Sequence, residues 1–248
     1  MLIENKNGHY LFLKGIAPYS SGAIAQPGFE IVHAVLERVL PWREGFERID
    51  SYWKAIGRDR AALCGIELRC PTPYSMDGFV AFNRDYCAVL EAWELYVDGV
   101  NPVARTNVSP AFEKVREPVL HGFSYTVPTK SSRGTMVIAG GGELDSPKLV
   151  AEAIVRRGET SEEAMREKAA YVVDLMEKRL LGLGGSWDLM TAVDIYTVHA
   201  VEGLVEDLVV KRMGEAARHG IRWYHARPPI VEIEYEMDMR GVLQEVVI

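Results

Sequence analysis

Apolar residues fall in short periodic blocks separated by turn residues. Over 43–56 they sit at Phe46, Ile49, Trp53 and Ile56, which is one face of a helix, and Gly57 stands where that helix would end. Residues 63–68 read as a strand, with Pro71, Pro73 and Gly78 marking the connection after it. A second helix is predicted over about 79–96, with Phe79, Phe82, Tyr86, Val89 and Trp93 on one face and Gly99 and Pro102 closing it. The next strand carries Arg105.

The same order returns in the second half. Thr160 and Glu163 form a capping-box pattern, and Met165, Ala169, Val172, Met176 and Leu180 make an apolar stripe that stops at Gly182, Gly184 and Gly185. A strand is predicted over 190–198 and a helix over 201–218, ending at Gly220. A last strand over 221–237 carries Arg227. In it Ile230, Glu232, Glu234 and Glu236 alternate with Val231, Ile233, Tyr235 and Met237, the pattern of one polar and one buried face. Two further strands, 118–127 and 135–140, flank a polar stretch at 129–134.

Each half thus reads as a strand or hairpin, a helix, a strand, a helix and a final strand. The expectation is an α+β protein of two tandem domains, 1–130 and 131–248, each a mixed sheet with two helices on one face. The bare sheet faces need burial, which predicts oligomerisation.

Composition narrows the function. The chain has 248 residues, 48% of them hydrophobic and 25% charged, ordinary values for a globular protein. No apolar run is long enough to span a membrane, and the first residues lack the basic-then-apolar order of a signal peptide. A net charge of −7 without any Lys/Arg-rich run argues against a nucleic-acid groove. Cys64, Cys70 and Cys87 show no CxxC spacing, which points to a reduced, cytoplasmic setting without a zinc site. The histidines show no metal-ligand spacing. Gly140-Gly141-Gly142 lacks the context of a dinucleotide site and reads as a turn or a close backbone approach.

The chemistry points to the two arginines. Arg105, in Asn-Pro-Val-Ala-Arg-Thr-Asn-Val, and Arg227, in Trp-Tyr-His-Ala-Arg-Pro-Pro-Ile, hold matching places in the two halves. A guanidinium fixed on a strand is a fork for a carboxylate, and a structural ion pair is the alternative for each. Asn107 lies two residues beyond Arg105, on the same face by alternation.

Four segments resemble the Rid superfamily of reactive intermediate deaminases, also called YjgF-like proteins. Ile16-Ala17-Pro18-Tyr19-Ser20 resembles its Gly-Pro-Tyr-Ser motif, and 79–86, with Phe79, Asn83 and Tyr86, its Phe-x-x-Asn-x-x-Tyr helix. Residues 102–108 are similar to its Pro-Ala-Arg-x-x-Val strand, and 158–198 to its long helix, glycine turn and strand. The resemblance implies chorismate-mutase-like folds, a homotrimer, clefts between neighbouring domains, and no metal or organic cofactor. It implies hydrolysis of imines and enamines of 2-amino acids. It also implies roles: Arg105 grips a small carboxylate substrate, and Glu117 holds the attacking water. Tyr19 closes the cleft, Asn83 orients water or the arginine loop, and Asn107 replaces a family Cys or Ser. Two departures stand out. The chain is doubled, and its second copy reads Gly203-Leu204-Val205-Glu206-Asp207 where the Asn-x-x-Tyr helix should be, which leaves Arg227 a secondary ligand group.

The expected function is hydrolytic deamination of small 2-imino or 2-enamino carboxylates to keto acid and ammonia. The alternatives are a deaminase or hydrolase of an aminomuconate-type unsaturated carboxylate from aromatic catabolism, and a non-catalytic carboxylate-binding regulator. The acidic balance disfavours a ribonuclease.

Overall fold

The computed structural model describes residues 1–145 and 149–248. It is an α+β structure with two mixed sheets. The chain begins with strands β1 (Leu2–Asn5), β2 (Tyr10–Leu13), β3 (Gly22–Ala25) and the long β4 (Phe29–Pro41). Helix α1 (Trp42–Ile56), strand β5 (Leu63–Arg69), helix α2 (Met76–Ala92), and strands β6 (Ala104–Pro110) and β7 (Val119–Pro128) follow. The second half runs β8 (Met136–Gly142), α3 (Glu162–Gly182) and β9 (Ala192–Tyr196). It ends with β10 (Arg222–Tyr224), β11 (Ala226–Arg227), β12 (Glu236–Gly241) and β13 (Gln244–Val247).

The helices form where periodicity and caps agree. In α1, Trp42, Phe46, Ile49 and Trp53 are buried, and Gly57 at φ 69° closes the helix by donating its N–H to the Trp53 carbonyl. The Ser75 hydroxyl caps α2 by accepting from the Gly78 N–H. The cap of α3 is Ser161, accepting from the Ala164 N–H, one residue later than the expected Thr160 box.

One sheet has the order β11-β6-β5-β7-β4-β13 and the other β1-β2-β3-β8-β12-β9-β10. Edge strands are exchanged. β3 pairs antiparallel with β8 of the second half, and β13 pairs parallel with β4 of the first. Hydrogen bonding therefore crosses the 129–134 junction in both directions. Helices α1 and α2 pack on the six-stranded sheet through Phe46, Trp53, Tyr86 and Leu90, and α3 on the seven-stranded one through Val172, Met176 and Leu180.

The remaining sheet faces lie against each other, so the chain is layered helix, sheet, sheet, helix. A Cβ added to Gly65 of β5 would stand 3.4 Å from the Val137 side chain of β8. The expected bare faces are thus covered within one chain, since each sheet covers the other, and they no longer call for oligomerisation.

Two more expectations are corrected. The strand at 221–237 is interrupted: Pro228 and Pro229 have no N–H to donate to a ladder, and Glu232 adopts φ 72°, so regular pairing resumes only at Glu236. The helix at 201–218 is a π turn (Glu206–Val210), one α turn (Lys211–Met213) and a 3₁₀ stretch (Gly214–His219). Among the described residues no helix is long and apolar enough to cross a membrane.

The sheet interface is polar at its centre. Arg240 donates from Nη1 to Asp194 at 2.8 Å and to Glu67 at 3.4 Å, and lies 3.6 Å from Asp238. Burial opposes the Arg240 charge, but the Glu67 and Asp194 carboxylates hold its pKa well above the ordinary value. Burial pushes Asp238 up to about 7, with Asp194 and Glu67 adding repulsion. Removing the cation would strand these carboxylates. Arg240→Met is expected to lower unfolding free energy by about 3–5 kcal/mol in urea denaturation. A loss below about 1 kcal/mol would show that the cluster does not hold the sheets together.

Candidate active site

A cavity of about 290 Å³ opens between the two halves, and both supply its walls. From the first half come Tyr19 and Phe79 with Arg105 and Asn107 of β6; from the second come Gly140, Gly141 and Gly142 of β8, Arg179 of α3 and Glu236 of β12.

Arg105 is 3% exposed. Its Nη2 donates to the Asn83 side-chain oxygen at 2.7 Å, and among the described residues its Nη1 has no partner. Aromatic rings surround the guanidinium: Tyr86 at 4.7 Å, Tyr19 at 4.9 Å, Phe79 at 5.5 Å and Phe82 at 5.8 Å to the ring centroids. Cation–π contacts of this kind are worth about 2 kcal/mol when desolvated. They do not replace a counter-ion, and a buried charge with an open donor is costly. The periodicity of α2 accounts for the cage, since Phe79, Asn83 and Tyr86 share its buried face. Beside it, Asn107 is buried with neither side-chain polar atom hydrogen-bonded. Three donor or acceptor atoms next to one cavity therefore await a ligand.

Glu236 is the acid of the site. It is 5% exposed, and burial, reinforced by Asp238, raises its pKa well above the ordinary carboxylate value, with Arg179 and Arg105 pulling the other way. Its place is set from behind. The buried Glu143 carboxylate accepts from the Glu234 N–H at 2.6 Å, the Tyr235 N–H at 3.0 Å and Lys168 Nζ at 3.1 Å, which ties down the segment entering β12. The glycine run is a close backbone approach. A Cβ on Gly140 would lie 3.1 Å from Thr106, and one on Gly141 3.1 Å from Arg179 Nη1. Burial also raises the Tyr19 pKa, so its phenol stays protonated and can donate.

Four of the six residues chosen from sequence meet here: Tyr19, Asn83, Arg105 and Asn107. Glu117 does not. It is exposed in the loop between β6 and β7 and does not line the cavity, because Pro118 ends that loop outside the β7 ladder. Arg227 also lies elsewhere, on the short edge strand β11, paired at 3.1 Å with Glu234, which in turn meets His199 at 2.8 Å. That is the structural ion pair weighed against ligand binding.

Sequence reading missed Glu236 and Arg179. Glu236 belonged to an alternating acidic face that suggested solvent. The overlooked signal for Arg179 was its spacing of four from Leu175, which also lines the cavity.

Fold and cavity define a two-sheet α+β protein with a ligand-sized pocket built around a buried, unpaired arginine. The family model for 2-aminomuconate deaminase CnbZ matches residues 2–246, and the chain belongs to that family. A 2-amino-5-chloromuconate deaminase of Comamonas testosteroni is 40% identical over 244 residues, 97% of this chain and 96% of that one. Among solved structures, a chorismatase is 13% identical with a TM-score of 0.46, over 90% of this chain and 77% of that one. RidA of an Antarctic Psychrobacter is 15% identical with a TM-score of 0.33, over 48% and 88%. Both scores are too low to define the fold.

The raised pKa of Glu236 has a stability consequence. The unfolded carboxyl ionises near 4.5 and the folded one at higher pH. Between those values the unfolded state binds fewer protons, so this group's contribution is full below 4.5 and is lost as pH rises through the folded pKa. Glu236→Gln removes that loss. Its melting temperature, relative to wild type, is expected to rise as pH goes from 4 to 8; a difference independent of pH would show that Glu236 is not held neutral.

Proposed function

We propose that this protein is a hydrolytic deaminase of 2-aminomuconate-type dicarboxylates, converting the enamine to a 2-oxo acid and ammonia. The observation that carries the reading is the buried, unpaired Arg105 sharing one cavity with the high-pKa acid Glu236. The names of the family and of the 40%-identical relative favour the aminomuconate alternative over a broad activity on small 2-imino acids.

Arg105 holds the carboxylate next to the amino-bearing carbon C2, with Asn83 fixing one side of the fork. Protonated Glu236 gives its proton to carbon, and the nitrogen lone pair moves in to form the iminium. The resulting carboxylate takes a proton from water as the water oxygen bonds to C2. Glu236 then passes that proton to nitrogen. The C–N bond breaks, ammonia leaves, and the carbinol proton returns to Glu236 as the carbonyl forms. The sum is one water consumed and one ammonia released, with the acid regenerated. A raised pKa suits both halves of the cycle, because the group must begin protonated and still act as a base. Tyr19 and Asn107 complete the polar wall around the reacting carbon.

The same reading keeps a division of the chain at 1–130 and 131–248 into two Rid-like halves that build one site between them. A homotrimer also remains part of the proposal, to be checked by light scattering against three times 27.7 kDa.

Steady-state ammonia release from 2-aminomuconate generated in situ tests the function. Arg105→Ala is expected to raise KM at least tenfold, from the about 2–5 kcal/mol carried by a desolvated charge pair. Glu236→Gln should bind muconate like wild type and lose about 10²–10⁴ in kcat. Glu117→Gln should behave as wild type. Binding of muconate by wild type without ammonia release would instead support the non-catalytic carboxylate binder.

A further inference from the structure

Resting on the deaminase reading of the same cavity, the charges in its walls point to a second anchor. Among the described residues the ionisable side chains lining it are Lys14, Tyr19, Arg105, Arg179 and Glu236. Among the described residues Glu236 is the single carboxylate there, and burial pushes its pKa well above the ordinary carboxylate value. The described lining therefore sets two guanidinium groups, and exposed Lys14, against one carboxylate. A monocarboxylate would satisfy one arginine and leave the other uncompensated in a partly desolvated space.

Arg179 is built to be the second. It comes from α3 of the second half, whereas Arg105 stands on β6 of the first, so the two cations reach the cavity from different elements. Its Nη1 donates to the carbonyls of Ala139 at 2.7 Å and Gly140 at 3.1 Å, which fixes the guanidinium plane. Among the described residues no carboxylate lies within ion-pair distance of it, unlike Arg156, Arg166 and Arg212, each paired with an acid. Its position also depends on Gly141, since a Cβ there would meet Nη1 at 3.1 Å. Leu175, Ile230 and Ile233 give the same cavity an apolar wall, which suits an unsaturated hydrocarbon chain.

We infer that Arg179 reads the distal carboxylate of the substrate and so makes the site selective for linear unsaturated dicarboxylates over monocarboxylates of equal length. Arg105 orients the reacting end, and Arg179 sets the length and the second charge.

Calorimetric titration with trans,trans-muconate and with sorbate separates the two carboxylates, because the probes share a six-carbon diene and differ in one acid group. Wild type is expected to bind muconate at least tenfold more tightly than sorbate. Arg179→Gln should weaken muconate at least tenfold and leave sorbate unchanged, abolishing the preference, while Arg105→Ala weakens both. Thermal melting checks that the variant folds. Should Arg179→Gln fail to fold, Arg179→Lys, which keeps the charge but loses the planar fork, decides through a narrowed muconate preference. Equal affinity of wild type for the two probes, equal weakening of both in Arg179→Gln, or an unaltered preference in either folded variant overturns the assignment. Ammonia release is measured separately, so a protein that prefers muconate through Arg179 yet releases no ammonia would retain this anchor and lose the deaminase reading.

Discussion

Everything in this structure depends on two β-sheets of one chain packing face to face. A sheet with helices on one side has an uncovered second side, and here the second sheet covers it. The contact is not an oily one at its centre: Arg240 sits among Glu67, Asp194 and Asp238, away from water. Ionic groups buried like this are weak contributors to net stability, yet breaking them is expensive. They therefore set how the sheets register against each other. The exchange of edge strands reinforces that register, with β3 tied to β8 and β13 tied to β4, so neither half can leave without breaking a ladder of the other.

The cavity follows from that registration. Arg105 and Asn83 come from one half and Glu236 and Arg179 from the other, and only the fixed placement of the sheets makes them neighbours. The site also works against stability. Among the described residues Arg105 has an unpartnered buried donor and Asn107 unsatisfied polar atoms, and Glu236 is a buried carboxyl whose pKa burial raises. Each of these lowers the stability of the ligand-free protein and each is relieved when a carboxylate and a polar substrate enter. The aromatic cage and the Glu143–Lys168 tie behind β12 hold these groups in place in the meantime.

Local elements were well marked in the sequence because local rules determine them. Helix α1, strand β5 and the Arg105 strand were legible from period, caps and turn residues, and the resemblance put Tyr19, Asn83, Arg105 and Asn107 together in advance. What was not legible depended on partners distant in sequence. No periodicity reveals that Leu2–Asn5 and its neighbours join the second sheet, or that two bare faces meet within one chain. The acidic alternation through Glu232, Glu234 and Glu236 looked like a solvated face because the pattern continues across residues that are not one strand. Pro228-Pro229 and the left-handed Glu232 interrupt it, and only Glu236 enters the sheet. Glu117 is likewise a position carried over from a family pattern, and it stands exposed in the loop between β6 and β7, outside the cavity.

The two arginines that hold matching places in the sequence differ for reasons visible in their surroundings. Arg105 lies on β6, an interior strand of its sheet, under the aromatic face of α2, and among the described residues its Nη1 has no hydrogen-bond partner. Arg227 is on an edge strand of two residues, ended by prolines, and Glu234 neutralises it. The helix that would cover it has become a π turn and a 3₁₀ stretch without the Asn and Tyr of α2. The second half supplies different groups to the shared cavity. Glu236 and Arg179 are those groups: an acid on β12, and a second cation on a helix whose remaining inward face is core. The cavity is therefore asymmetric, with Arg105 and Asn107 contributed by one half and Arg179 and Glu236 by the other, an arrangement that two equivalent sites would not provide.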